Sequence, residues 1–137
     1  MTPEGSLPYD PAKIPPFLLE LWRIFPRQDL ISYLDEVNEM GNTALHYAVK
    51  NDLHDVVEFL VNTCRVNINI CNKMGNSVLH VAALNNRRKI VELLVAAKID
   101  VLKENKEGFT CLNHSEKMMF TDMCEYLDPV IVNAEIW

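Results

Sequence analysis

Residues 41–48 read Gly41-Asn42-Thr43-Ala44-Leu45-His46-Tyr47-Ala48, and thirty-four residues later the chain reads Gly75-Asn76-Ser77-Val78-Leu79-His80-Val81-Ala82. A third, less similar copy begins another thirty-three residues on with Gly108-Phe109-Thr110-Cys111-Leu112. A fixed period of this length is typical of folds in which similar units stack and bury their apolar faces against their neighbours. The sequence therefore predicts a stacked-repeat architecture.

Two helices are predicted in each clear repeat, because apolar residues recur at helical spacing. In the second helices, Val57 and Leu60 of the first repeat correspond to Val91 and Leu94 of the second. The predicted repeats cover residues 37–70, 71–103 and 104–127. Their helices are expected over residues 43–50, 54–61, 77–84 and 88–95, with another starting near Thr110. Pro129 is expected to end the third repeat. Because every predicted element is a helix, the predicted fold class is all-α.

Both ends of the chain are expected to cover the stack. Residues 1–16 hold five of the seven prolines and are predicted to be an extended strap. Residues 17–36 are predicted to form a capping helix pair, with one helix from Phe17 to Phe25 and another capped by Asp29. Its apolar residues, Phe17 among them, are expected to bury the open end of the first repeat. Residues 128–137 are expected to be an apolar tail that folds back.

Composition limits the possible functions. With 137 residues and 49% apolar content, the chain is expected to form one domain around a continuous core. The net charge of −6 argues against nucleic-acid binding, which requires a clustered positive field. We find neither a secretory leader nor a segment long enough to span a membrane. The four cysteines form no Cys-x-x-Cys pair, so we expect reduced thiols in a cytoplasmic or nuclear monomer.

The segments at residues 43–48 and 77–82 resemble the Thr-Pro-Leu-His-x-Ala signature of the ankyrin-repeat family. The resemblance covers about residues 37–127. It implies an ankyrin-repeat solenoid of antiparallel helix pairs, in which a β-turn finger precedes each pair. It also implies a non-catalytic protein that binds another protein.

The sequence departs from the family pattern where ankyrin repeats usually have glycine, between the two helices and after the second helix. Asp52, Asn86 and Met119 stand at the first of these positions, and Cys64 and Lys98 at the second. We expect a left-handed backbone at each. Met119, Cys64 and Lys98 should then each cost about 1 kcal/mol, because a Cβ is disfavoured there.

Two further departures affect single repeats. Arg65 is the extra residue that lengthens the first period to thirty-four. Asn113 stands where the first two repeats have His46 and His80, so we interpret the third repeat as a terminal unit, which is expected to be atypical.

No catalytic or metal site is predicted. His46 and His80 occupy the same position in successive repeats, which favours a structural role with hydrogen bonds to the backbone and to the nearby hydroxyl. His54 and His114 have no carboxylate or cysteine partner at catalytic spacing, and no phosphate-binding loop is present. Glu58, Glu92 and Glu125 recur once per repeat and are interpreted as a solvated row. We therefore predict neither an enzyme nor a cofactor.

The candidate binding surface combines the fingers with the concave face that follows each first helix. Methionine is adaptable and frequent at binding surfaces, and apolar residues aligned in successive layers suggest one groove. The predicted partner-binding residues are Glu39, Met40, Asn42, Lys50, Asn51, Lys73, Met74, Asn76, Leu84, Asn85, Lys106, Phe109 and Met118.

Three functions remain open on the sequence alone. The favoured one is a protein–protein interaction module that acts as an adaptor, inhibitor or targeting subunit. A narrower alternative is a regulator of a transcription factor, similar to ankyrin proteins of the inhibitor-of-NF-κB kind, in which acidic charge would compete with DNA for a basic partner. The last is a regulatory fragment of a larger enzyme. The fold does not identify the partner.

Overall fold

The computed structural model describes residue 12 and residues 14–24 and 26–136. Within this part the chain is helical and contains no strand, which confirms the all-α class. The helices are α1 (Pro16–Ile24), α2 (Arg27–Leu34), α3 (Ala44–Lys50), α4 (His54–Glu58), α5 (Val78–Leu84), α6 (Arg88–Ala96), α7 (Cys111–Lys117) and α8 (Thr121–Ile136). A π-helical turn, Phe59–Thr63, continues α4. None of these helices is long and apolar enough to cross a membrane.

The first helix of each repeat begins where the signature supplies a cap. Thr43, Ser77 and Thr110 have extended backbones, and each side-chain oxygen accepts a hydrogen bond from the backbone N–H three residues later. The side chain of this later residue in turn accepts a hydrogen bond from the backbone N–H of the cap residue, which completes a capping box. The repeated Thr or Ser therefore fixes where α3, α5 and α7 start.

The helices form two layers. The inner helices α3, α5 and α7 lie side by side, and α4, α6 and α8 pack behind them. Leu45 and Leu79 are only 2% and 1% exposed, so the prediction that they join one layer to the next is confirmed. The core is one continuous cluster that runs from Ile14, just before α1, to Ile131 in α8.

The N-terminal helix pair packs against the first repeat. The Trp22 and Phe59 rings pack in a T-shaped arrangement with their centroids 5.8 Å apart. Leu18 and Leu21 are partly buried against the core. Phe17, however, is 66% exposed, so the prediction that it is buried is wrong.

Helix α2 begins without the predicted aspartate cap. Asp29 does not cap α2, because the helix already begins at Arg27 after Pro26 and Asp29 lies in its first turn. Helix α2 can begin directly after Pro26, because proline is tolerated at the start of a helix, where its missing N–H would have no intrahelical partner.

Of the predicted strap (residues 1–16), residue 12 and residues 14–16 are described; Ile14 is buried in the core, and Pro16 already belongs to α1 and not to an extended strap. The other strap residues and Phe25 lie outside the described residues.

The extra residue of the first repeat is accommodated at the end of its outer helix. Cys64 N–H bonds Phe59 O at 2.9 Å across five residues, which widens the last turn into a π-helix. Cys64 consequently keeps a right-handed backbone with φ −77°, and the left-handed residue is Arg65 with φ +56°. The expectation of a left-handed Cys64 is therefore wrong. Lys98, with φ +69°, takes the equivalent position in the second repeat as expected.

The expectation that Pro129 ends the third repeat is also wrong. Helix α8 continues through Pro129 to Ile136. Proline removes one intrahelical hydrogen bond, but Leu127 and Ile131 on either side are buried and Ala134 is partly buried against the core. The helix persists because its apolar stripe extends beyond the proline. Residues 128–136 are accordingly part of α8 and do not form a separate tail.

Candidate partner-binding groove

An asparagine closes each finger at its base. Asn38 Oδ1 accepts hydrogen bonds from the N–H groups of Met40 and Asn42, both at 3.0 Å. Asn72 and Asn105 hold the next two fingers in the same way. Such a side chain satisfies turn amides that would otherwise need water. The three fingers are therefore held in one shape.

The asparagines also connect one finger to the next. Asn72 Nδ2 donates to Asn42 Oδ1, and Asn105 Nδ2 donates to Asn76 Oδ1, both at 2.9 Å. Asn76 is only 7% exposed and Asn42 is half-buried. The prediction that the Asn76 side chain faces a partner is therefore wrong, because the amide is used inside the stack. The recurrence of Asn38, Asn72 and Asn105 was the available signal, and the sequence analysis missed it.

Backbone hydrogen bonds hold neighbouring fingertips together. Lys73 N–H donates to Met40 O at 3.0 Å, and Lys106 N–H donates to Met74 O at 3.1 Å. The four side chains remain exposed. The structure thus presents two methionines and two lysines from a rigid edge.

The signature histidine connects the repeats beneath the fingers. His46 Nδ1 accepts from Thr43 N–H at 3.1 Å, and His46 Nε2 bonds Asn76 O at 3.1 Å. A backbone N–H can only donate and a carbonyl can only accept, so the ring is neutral with its proton on Nε2. Burial lowers the pKa of His46, although the bond to the Asn76 carbonyl raises it by a smaller amount. The predicted structural role of this histidine agrees with these bonds.

The second repeat follows the same scheme and the third departs from it. His80 Nδ1 accepts from Ser77 N–H at 3.2 Å, and its Nε2 donates to Phe109 O at 2.9 Å. Asn113 Oδ1 accepts from Thr110 N–H at 2.9 Å, so it preserves the cap. No finger follows the third one within residues 111–136, so there a histidine would have no carbonyl to reach.

His114 has a structural role in the third repeat. Its Nε2 lies 3.1 Å from Asn105 Nδ2, and its ring meets His80 and Phe109 edge-on at 5.6 and 5.7 Å. Lys117 Nζ lies 5.6 Å from the centroid of the Phe109 ring. Phe109 is thus half-buried between two neighbours, which leaves less of its surface for a partner than the sequence suggested.

The concave face contains a groove of about 480 Å³ between the first two repeats. Its apolar surface comes from Tyr47, Met74, Val81 and Leu84, and its polar rim consists mainly of amides. Six of the predicted binding residues line it, namely Asn42, Lys50, Asn51, Met74, Leu84 and Asn85. Five others, Glu39, Met40, Lys73, Lys106 and Met118, are exposed outside the groove.

Tyr47 is the groove residue that the sequence analysis missed. Its side chain is 67% exposed, although it belongs to a short helix with four buried residues. The signal was its place in the signature, where the second repeat has Val81. Tyrosine offers a large rigid surface with a polar tip and is enriched at binding hot spots.

Two other surface features are less suited to a partner. A hollow of about 390 Å³ near Cys71 is lined by Lys98, Asp100 and Lys103, but no exposed large apolar side chain lies on it. On α4, His54 lies close to two acids, contrary to the expectation that it has no carboxylate partner. Ligand atoms of His54, Asp55 and Glu58 lie within 4.8 Å of one another. All three side chains are half-buried, and their proximity alone does not make a metal site.

Comparison with protein families agrees with this geometry. The family model described as ankyrin repeat matches residues 40–73. The model described as ankyrin repeats, in three copies, matches residues 64–133, which is about half of the chain by itself. No curated protein gives a significant match.

Proposed function

Because the chain belongs to the ankyrin-repeat family, whose repeats generally mediate protein–protein interaction, we propose that it binds a protein partner through its fingers and concave groove. Its role would be that of an adaptor, inhibitor or targeting subunit. Members of this family are typically non-catalytic, and we propose the same for this protein.

The observation that carries the proposal is the position of large exposed side chains on one concave face. Tyr47, Met74 and Leu84 are 67%, 50% and 38% exposed around the groove. Single exposed apolar residues are ordinary, but a concave group of them beside amides is typical of a binding site. The fingers are already held in place by hydrogen bonds, so a partner would bind a preorganised surface at low entropic cost.

A different face favours the narrower role as a regulator of a transcription factor. Helix α8 carries the exposed carboxylates Asp122, Glu125, Asp128 and Glu135 and contains no lysine or arginine. None of them lines the groove. A basic partner surface would be attracted to this helix, so the identity of the captured partner separates the two roles.

The test is capture of a partner from cell extract on the immobilised protein, with identification by mass spectrometry. The partner is then purified and its Kd measured for Met40→Glu/Met74→Glu. Both methionine side chains are about half exposed, so the variant should keep its helicity. We expect binding to weaken at least ~10-fold, equivalent to ~1.4 kcal/mol.

The matched control is Glu92→Lys/Glu125→Lys, which reverses two exposed charges on the outer helices. Glu92 and Glu125 suit this control better than Glu58, which is half-buried beside His54. A partner that loses affinity for the control and not for the methionine variant would place the interface on the outer helices and overturn the proposal.

A further inference from the structure

The groove between the first two repeats differs in charge from the rest of the molecule. The chain has a net charge of −6, yet among the described residues lining the groove the one charged side chain is that of Lys50. Arg87 adds a second cation at the Lys50 end of the groove, because Arg87 Nη2 donates a hydrogen bond to the backbone carbonyl of Lys50 at 3.0 Å. Arg87 is itself paired with an acid, because Asp52 Oδ2 lies 3.8 Å from Arg87 Nη1, and the Asp52 side chain is 56% exposed. This end of the groove therefore favours an anionic group.

Amide acceptors lie beside this cation at equivalent positions of the two repeats. Asn51 Nδ2 donates to Tyr47 O at 2.9 Å, and Asn85 Nδ2 donates to Val81 O at 2.8 Å. Both amides are thereby fixed by their own helices. Across the described residues, neither Oδ1 atom accepts a further hydrogen bond. Two oriented acceptors therefore border the groove.

The spacing of these acceptors suits an extended chain. Packed helices lie about 8–10 Å apart, and extended backbone advances about 3.3 Å per residue. The distance from one inner helix to the next is thus between about two and three residues of strand. Backbone N–H groups two residues apart point to the same edge of an extended segment, so two of them can face Asn51 and Asn85. An apolar side chain located between these two N–H groups would meet Tyr47 and Leu84, which line the groove.

We propose that this groove binds an extended acidic segment of the partner protein, with a carboxylate at Lys50 and an apolar side chain against Tyr47 and Leu84. This inference rests on the proposed function and adds the chemistry of the partner. A peptide fits better than a nucleic acid, because the groove supplies one lining cation and an apolar surface, whereas phosphate backbones need several cations in register.

The test uses a random twelve-residue peptide library displayed on phage and selected on the full chain. Enriched peptides are synthesised with a fluorophore, and Kd is measured by anisotropy. We expect Asp or Glu near a large apolar residue in the enriched peptides. Their affinity should fall at least ~10-fold with Lys50→Glu and with Tyr47→Ala, and less than ~2-fold with the control Lys89→Glu on the exposed start of α6.

Several results would overturn the inference. These are no enriched peptide, enriched peptides that are basic or lack acids, and a Kd insensitive to Lys50→Glu. Tighter, Lys50-dependent binding of a twenty-nucleotide single-stranded RNA, or of vesicles containing phosphatidylserine, would replace the peptide with another occupant. If the captured partner still depends on the methionine pair, the proposed function stands while this inference fails. If no captured partner depends on the methionine pair, the proposed function fails, whatever the result of the peptide experiment.

Discussion

The close approach of the fingers makes a testable difference between two glycines with the same backbone conformation. Gly75 has φ +79° and Gly108 has φ +83°. A Cβ on Gly75 would lie 2.7 Å from Lys106 N, whereas a Cβ on Gly108 would meet no atom within 4 Å. Alanine at either position suffers the same backbone strain. Only at Gly75 must it also move the next finger.

The expected magnitudes follow from this geometry. Left-handed alanine costs roughly 1–2 kcal/mol, partly offset by about 0.4–1 kcal/mol from the lower entropy of the unfolded chain. We therefore expect Gly108→Ala to lower the free energy of unfolding by no more than about 1.6 kcal/mol. Gly75→Ala must in addition displace Lys106 N–H from Met74 O, a bond worth about 0.5–1.5 kcal/mol net. Gly75→Ala should thus be less stable than Gly108→Ala by about 0.5–1.5 kcal/mol.

Urea unfolding followed by circular dichroism measures both free energies, and equal m-values would show that the variants unfold over the same surface. Gly41→Ala gives an independent repeat of the test, because its Cβ would lie 2.8 Å from Lys73 N. Equal losses at Gly75 and Gly108 would refute the reasoning, since strain at the glycine alone would then explain the data.

Three further predictions concern stability. Burial lowers the pKa values of His46, His80 and His114, so these histidines take up protons near pH 6.5 in the unfolded chain and only at lower pH in the folded chain. The stability that they contribute should therefore be fully present above pH 6.5 and decrease as the pH falls below it. Equal melting temperatures at pH 7.5 and 5.5 would contradict this. Pro129→Ala should raise the melting temperature, because it restores a backbone donor inside α8, and a lower value would show that the proline stabilises the helix. Trp22→Ala should cost less than the roughly 3–5 kcal/mol of a fully buried tryptophan, because Trp22 contacts Phe59 but is only partly buried against the core. An unchanged urea midpoint would show that α1 does not cover the stack.

The sequence predicts the repeated parts of this fold well and the irregular parts poorly. The period, the start of helices near Thr43 and Ser77, and the buried leucines follow from local pattern, because every repeat meets the same neighbours. The continuation of α8 through Pro129 does not, since it depends on which residues beyond the proline reach the core. The shift of the left-handed turn from Cys64 to Arg65 depends on how one extra residue is shared between a helix and its turn.

Prediction of the candidate site was limited in a similar way. Alignment of repeats placed Met74 and Leu84 on the concave face, because equivalent positions face the same direction. It could not show that the Asn76 side chain accepts a hydrogen bond from Asn105, since this bond joins side chains that are twenty-nine residues apart in the sequence. It also could not show that Phe109 is half covered by His114. Contacts between repeats therefore decide which outward-facing side chains remain free to contact a partner protein.

The central claim, that the partner binds the groove, is tested most directly by photo-crosslinking from one groove position. Tyr47→p-benzoylphenylalanine places the reactive ketone in the groove, and Tyr33→p-benzoylphenylalanine provides a control at another exposed tyrosine that does not line it. The two side chains are 67% and 53% exposed, so the variants differ mainly in position. The account predicts that irradiation joins the captured partner to position 47 and leaves position 33 unlinked. A partner joined through position 33 and not through position 47 would contradict it.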